Sequence, residues 1–223
     1  IMESNITDKS NLILVRHGQS IYNLENRFTG WEDVELTKLG LDEANQAGLL
    51  LKTFYINSAF TSNLKRAQKT LNTILKHNSS NPTVETSIDL NERDYGDLVG
   101  QNKKEAAIKF GKDQVQIWRR SFDVPPPNGE SLEMTYNRTI PYFKNNIVPT
   151  IFENNILISA HGNSLRAIIM YLFKYSKKEI LKTEIGWCEP IIIKFDKLKP
   201  ISFKLITRPN SKSMSNFPRN PFE

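Results

Sequence analysis

Apolar residues in this chain fall into two rhythms. Leu12–Val15 and Ile156–Ala160 are continuous short runs without polar alternation, the pattern of strands buried on both faces. Ser58–Ser62 reads as a further short strand, and Val84–Ile88 as a weaker one with alternating polar residues. Between them the spacing changes to three and four. After Thr37, a helix N-cap, come Leu41, Ala44, Ala47, Leu50 and Leu51. After Ser62, the positions Leu64, Ala67, Leu71, Ile74 and Leu75 form one helix face. Leu165, Ile168, Ile169, Leu172 and Phe173 do the same after Ala160. Helices are also expected at Lys103–Phe110, Asp113–Arg119 and Leu132–Tyr142, the last bent or ended by Pro141. Pro190–Phe195 and Ile201–Ile206 read as late strands joined by a Lys197–Pro200 turn.

Buried strands alternating with amphipathic helices predict an α/β fold. The expected architecture is a three-layer α/β/α sandwich around a mostly parallel central sheet, with right-handed crossovers. A chain of 223 residues suits one such domain, with a core of about 12–206. The turn-rich stretch at 207–223 reads as a mobile polar tail.

Ligands of such sheets bind beyond the carboxyl ends of the strands. Two of the chain's three histidines stand there: the first strand runs into Arg16–His17–Gly18, the later one into His161–Gly162. His77, at a polar helix end, has no such setting and reads as structural. Glycine after each histidine lets a backbone N–H approach an anion closely. A metal site needs a third ligand and is disfavoured by adjacent arginines. No Gly-x-Ser-x-Gly elbow is present for a serine nucleophile.

Phosphoryl transfer fits these residues better. A neutral imidazole, with an ordinary pKa of about 6.5, is a good nucleophile toward phosphorus. The transferring group spreads negative charge over three oxygens and needs fixed cations around it. Arg16, Arg66 and a protonated His161 are the expected cations. Glu92, between a strand and the glycine-containing loop ERDYGD, is the expected acid and base for the leaving oxygen. The pair Arg119–Arg120 reads either as an exposed helix end or as a bidentate clamp on a carboxylate or phosphate.

Charge narrows the partners. The formal net charge is +6, from 30 basic and 24 acidic residues. The lysines are scattered, as on a solvated surface, whereas several arginines adjoin glycine, histidine or each other. No basic stripe with stacking aromatics is present, so a nucleic-acid module is disfavoured. No apolar run approaches the roughly 18 residues that span a bilayer, and the N-terminal stretch IMESNITDKSN lacks an apolar signal region, so no membrane partner is expected. The single cysteine, Cys188, excludes an internal disulfide framework and fits a reducing, cytoplasmic setting.

The segments LVRHGQS, NRFTGW, LKRAQKT, LNERDYGDL, GQNKKEA, QVQIWRRSF, PPNGESL and AHGNSLRA, in this order, resemble the cofactor-dependent phosphoglycerate mutases of the histidine phosphatase superfamily. The resemblance covers roughly Leu12 to Phe195. It implies His17 as the phosphorylated nucleophile, His161 as a transition-state stabiliser and Glu92 as the proton donor and acceptor. Arg16 and Arg66 would hold the transferring group with Asn23 and the Gly162 backbone. Ser20, Thr29, Gly30, Tyr95, Lys103, Arg119, Arg120 and Asn163 would contact the rest of the substrate. The implied activity is interconversion of 3-phosphoglycerate and 2-phosphoglycerate in glycolysis and gluconeogenesis. In it, 2,3-bisphosphoglycerate serves as primer and intermediate and no metal takes part. A phosphatase of the same superfamily is the alternative, and assembly stays open, with a homodimer as the candidate. Two departures stand out. The family's Thr-Gly-x-Pro turn is replaced by EIGWCEP at 184–190, a segment expected near the second histidine. The PPPNGESL segment is short, as in bacterial relatives.

Overall fold

The structure, a computed structural model, describes residues 10–223; most of the polar N-terminal stretch therefore lies outside the described residues. Six strands form one sheet: β1 (Asn11–Arg16), β2 (Ser58–Thr61), β3 (Thr83–Thr86), β4 (Asn155–Ala160), β5 (Ile191–Asp196) and β6 (Lys199–Leu205). Eight α-helices accompany them among the described residues: α1 (Ile21–Leu24), α2 (Lys38–Leu51), α3 (Lys65–Leu75), α4 (Lys103–Phe110), α5 (Lys112–Arg120), α6 (Leu132–Tyr142), α7 (Gly162–Phe173) and α8 (Lys177–Lys182). No helix among the described residues is long and apolar enough to cross a membrane.

The sheet order is β3-β2-β4-β1-β5-β6. The first four are mutually parallel, while β5 and β6 run antiparallel at one side. Alternation along β1 explains the layers. Leu12 and Leu14 join the core cluster that includes Leu165, Ile168 and Phe173 of α7 and Ile140 of α6. Ile13 and Val15 face the opposite way, with Ala44 and Leu51 of α2 and Leu71 and Ile74 of α3. Each large aliphatic side chain taken fully out of water contributes roughly 1.5–3 kcal/mol. An unbroken apolar run is therefore what a strand with helices on both faces requires. The fold is the expected three-layer sandwich, and its mostly parallel sheet is closed by the antiparallel β5–β6 pair.

Three local readings change. β3 stops at Thr86, and Ile88 opens a 3₁₀ turn, because this edge strand is exposed at all four positions and has no buried face to extend. α6 keeps its α geometry past Pro141, whose ring removes only the N–H that would meet the Asn137 carbonyl, and runs on into a π turn at Phe143–Ile147. The segment from Arg208 on, read as a mobile tail, is tied to the body. Arg208 reaches Glu43 at 3.5 Å and is itself buried. Ser213, Met214 and Ser215 all donate to the fully buried carboxylate of Glu189. Phe217 and Phe222 stack around Phe173, with centroids at 6.1 and 5.3 Å.

Candidate active site

Parallel pairing of β1 with β4 sets Arg16 opposite Ala160, so the two histidines emerge side by side at the carboxyl edge. The His17 N–H donates to the Ala160 carbonyl at 3.0 Å, and the imidazole centroids are 5.1 Å apart. Both rings are buried, His17 at 3% exposure and His161 at 0%.

The hydrogen bonds assign the tautomer of His17. Its Nδ1 lies 2.7 Å from the Gly18 carbonyl oxygen, which only accepts, so Nδ1 carries the proton and Nε2 keeps its lone pair. Burial, then the charges of Arg66 and Arg16, hold His17 well below the ordinary imidazole range. The same ring is thus neutral and nucleophilic at physiological pH. His161 is also held well below that range, by burial and then Arg66, so the protonated His161 expected from sequence is a neutral imidazole in this state. Its Nε2 is 2.7 Å from Ser62 Oγ, and its Nδ1 has no protein partner.

Two arginines complete the reacting end. Arg16 donates to the Ile185 carbonyl at 2.8 Å and stacks against Trp187, 5.5 Å from the ring centroid. Arg66 leaves α3 to donate to the Gly30 and Glu32 carbonyls at 2.8 and 2.9 Å. Burial pulls the Arg66 guanidinium down to about 10, still cationic at neutral pH. The Nε atoms of Arg16 and Arg66 are buried without a partner, like His161 Nδ1. Orphaned buried donors are costly, and the Arg16 and Arg66 Nε–H groups suit a multi-oxygen anion, joined by His161 Nδ1–H in the tautomer whose Nε2 accepts from the Ser62 hydroxyl.

Glu92 has 9% exposure and is fixed by its backbone surroundings. Its Oε1 accepts from the N–H groups of Arg93 (2.8 Å) and Asn163 (3.0 Å), and its carbonyl accepts from Trp31 and Arg138. The space above Gly162 lies between Glu92 and Arg16: a Cβ there would sit 3.7 Å from Glu92 Oε2 and 3.6 Å from Arg16 Nε.

Arg16, Asn23, Thr29, Gly30, Glu92, Tyr95, Lys103, Arg119, Arg120, Gly162 and Asn163 line one cavity of about 140 Å³, small beside the roughly 300–1,000 Å³ of drug-sized sites. His17, His161 and Arg66 are not among its lining residues, but each is joined to one: His17 follows Arg16, His161 precedes Gly162, and Arg66 donates to the Gly30 carbonyl. Ser20 does not line it; its hydroxyl caps α1 by accepting from the Asn23 N–H at 3.3 Å, which orients Asn23 instead. Arg93 is likewise structural, since its guanidinium holds the Glu130 and Trp118 carbonyls and so anchors the end of α5 that carries Arg119 and Arg120. Lys103 lies 5.7 Å from the Phe28 ring centroid and is pushed down to about 8 by burial and by Arg119. His77 is structural as expected, paired with Asn45 at 2.9 Å.

The EIGWCEP segment joins the end of β1, where Trp187 bridges to Arg16 and the Cys188 N–H donates to the Arg16 carbonyl, and its Glu184 and Ile185 line the cavity together with Gly162 and Asn163, which follow the second histidine. Cys188 takes φ +50, a conformation that favours the glycine of the family's turn. Sequence reading missed Ser62, Arg166 and Glu184. Ser62 had a signal, as a hydroxyl at the end of a strand parallel to the one bearing His161. Arg166 lines the cavity from the second turn of α7, and Glu184 lines it while pairing with Arg120 at 2.5 Å.

Comparison with known proteins agrees with this arrangement. Residues 12–205 match the model of the histidine phosphatase superfamily, branch 1. The chain is 50% identical over 198 residues to the 2,3-bisphosphoglycerate-dependent phosphoglycerate mutase of Nitrobacter hamburgensis, covering 87% of this chain and 96% of that one. It is 52% identical over 187 residues to the enzyme of the same name from Xanthobacter autotrophicus, covering 82% and 90%. Among solved structures it resembles the alpha-ribazole phosphatase of Shigella flexneri (TM-score 0.76, 21% identity, 90% and 96% covered). It also resembles a mycobacterial glucosyl-3-phosphoglycerate phosphatase (TM-score 0.74, 22% identity, 90% and 99% covered). These two share the fold. With its paired strand-end histidines and a family match over most of its length, the chain belongs to the histidine phosphatase superfamily, branch 1.

Proposed function

We propose that this chain is a 2,3-bisphosphoglycerate-dependent phosphoglycerate mutase, interconverting 3-phosphoglycerate and 2-phosphoglycerate in glycolysis and gluconeogenesis. The observation that carries this is the set of buried nitrogens without partners, Arg16 Nε, Arg66 Nε and His161 Nδ1, gathered at the site of His17. A phosphoryl group would satisfy all three. The cavity is also lined by Lys103, Arg119 and Arg120, cations suited to the second anionic end of a compact phosphorylated carboxylate.

In the forward sense, His17 carries a phosphoryl group on Nε2. Glu92 as carboxylate takes the proton of the substrate's free hydroxyl, the new O–P bond forms, and the P–N bond breaks. The bisphosphorylated molecule then presents its other end. Nε2 attacks that phosphorus, its P–O bond breaks, and Glu92 returns the proton to the departing oxygen. The buried arginines neutralise the oxygens throughout, and the burial of His17 limits attack by water. His161 donates from Nδ1. A cytoplasmic setting and a homodimer belong to the same proposal.

The test is a coupled assay from 3-phosphoglycerate, with and without added 2,3-bisphosphoglycerate, while free phosphate is followed. Bisphosphate-dependent isomerisation with little phosphate release supports a mutase. Phosphate release without isomerisation makes the chain a phosphatase of the superfamily.

A further inference from the structure

One acidic side chain stands among the distal cations. Glu184 lines the same cavity as Arg16, Lys103, Arg119, Arg120 and Arg166. Its Oε1 accepts from Arg120 Nη1 at 2.5 Å. A carboxylate is a poor choice for lining an anion site, because it repels the ligand that the arginines attract. Its reach goes beyond its partner: among charges acting on Arg166 it is the leading one, and on Arg16 it follows only Glu92.

Two further observations say how it is held. The Glu184 N–H donates to the Asn216 carbonyl and the Asn216 N–H donates back, both at 2.9 Å, so its backbone is pinned by the C-terminal segment. The Arg120 and Glu184 side chains are 41% and 46% exposed, so exchanging the pair requires no opening of the core. The backbone is fixed while the side chain is free to leave.

We propose that Glu184 is an internal counter-anion. It occupies Arg120 in the empty site and is exchanged for the distal anionic group of the ligand. Glu184 is thus a specificity-determining residue: ligands with an anion at both ends displace it, whereas a ligand with only the reacting phosphate leaves the pair intact. This rests on the reading of the substrate as a small two-ended anion.

The experiment is calorimetric titration at low ionic strength of the wild type and Glu184→Gln, which requires no turnover. The probes are 3-phosphoglycerate, inorganic tripolyphosphate as a polyanion with no metabolic assumption, and inorganic phosphate. Glu184→Gln is expected to tighten both two-ended probes about fivefold, with phosphate changing less than twofold. The gain should shrink as salt screens the charges. Glu184→Asp, with a shorter reach to Arg120, should lie between the two. Tm establishes that each variant is folded. Unchanged or weaker binding of tripolyphosphate in Glu184→Gln, or equal tightening of all three probes, overturns the inference. Failure of the wild type to bind 3-phosphoglycerate counts instead against the mutase proposal, since the exchange is still read on tripolyphosphate.

Discussion

Gly18 and Gly40 meet backbone to backbone. A Cβ built on Gly18 would lie 2.2 Å from the Gly40 carbonyl oxygen, and one on Gly40 would lie 2.1 Å from that of Gln19. The first turn of α2 therefore presses directly on the loop that follows His17. Gly40→Ala should cost about 1–3 kcal/mol in urea unfolding and lower kcat, because the only relief is to push the His17 loop outward. A variant with normal kcat would show that the loop has slack.

The buried histidines give stability a sign with pH. Both are held well below the ordinary range, chiefly by burial. Unfolded, they titrate near 6.5 and so bind protons first as pH falls. Stability is therefore retained above about 6.5 and lost as pH drops below it toward the folded values. The slope is up to about 1.4 kcal/mol per pH unit for each ring. Replacing His17 and His161 together with Asn should flatten the denaturant-derived stability between pH 5 and 6.5 relative to the wild type.

Lys103 sets an alkaline limit. With its ammonium pushed down to about 8, the free enzyme loses one distal cation above that pH. kcat/KM for an anionic substrate should fall as pH rises through 8. Lys103→Met should lose about tenfold or more at neutral pH and show no such limb, whereas Lys103→Arg should keep activity to higher pH. An unchanged limb in Lys103→Met would assign it to another group.

Glu189 is the buried acceptor for the C-terminal segment, taking hydrogen bonds from Ser213, Met214 and both the N–H and hydroxyl of Ser215. Glu189→Ala leaves those donors unsatisfied and should cost about 2–4 kcal/mol. Trypsin should then cut at Lys212 far faster than in the wild type. Equal cleavage rates would mean that the aromatic contacts of Phe217 and Phe222 suffice to hold the segment.

What could be read from the chain follows from where the information lies. β1 and β4 carry the apolar runs Leu12–Val15 and Ile156–Ile158 because both faces are covered, and each strand is followed by a histidine that has no packing reason to be there. The tail could not be read in this way. Its serines and asparagines look like solvated coil, and the carboxylate that holds Ser213, Met214 and Ser215 is 24 to 26 positions earlier in sequence. Ser20 entered only through the family resemblance, and in the structure its hydroxyl accepts from the Asn23 N–H as the cap of α1. Glu184 and Arg166 carry no local signal either, since a charge becomes a site residue only through what the fold sets opposite it.

The register of β1 against β4 also has a kinetic consequence. His17 and His161, with rings 5.1 Å apart, are separated by 144 positions in sequence, and β2 and β3 form between them. Parallel pairing over such a span is among the late and slow events of folding. No fragment containing only one of these strands holds the pair. Recovery of activity during refolding should thus coincide with completion of the whole sheet, which makes the reaction itself a clock for the final step of folding.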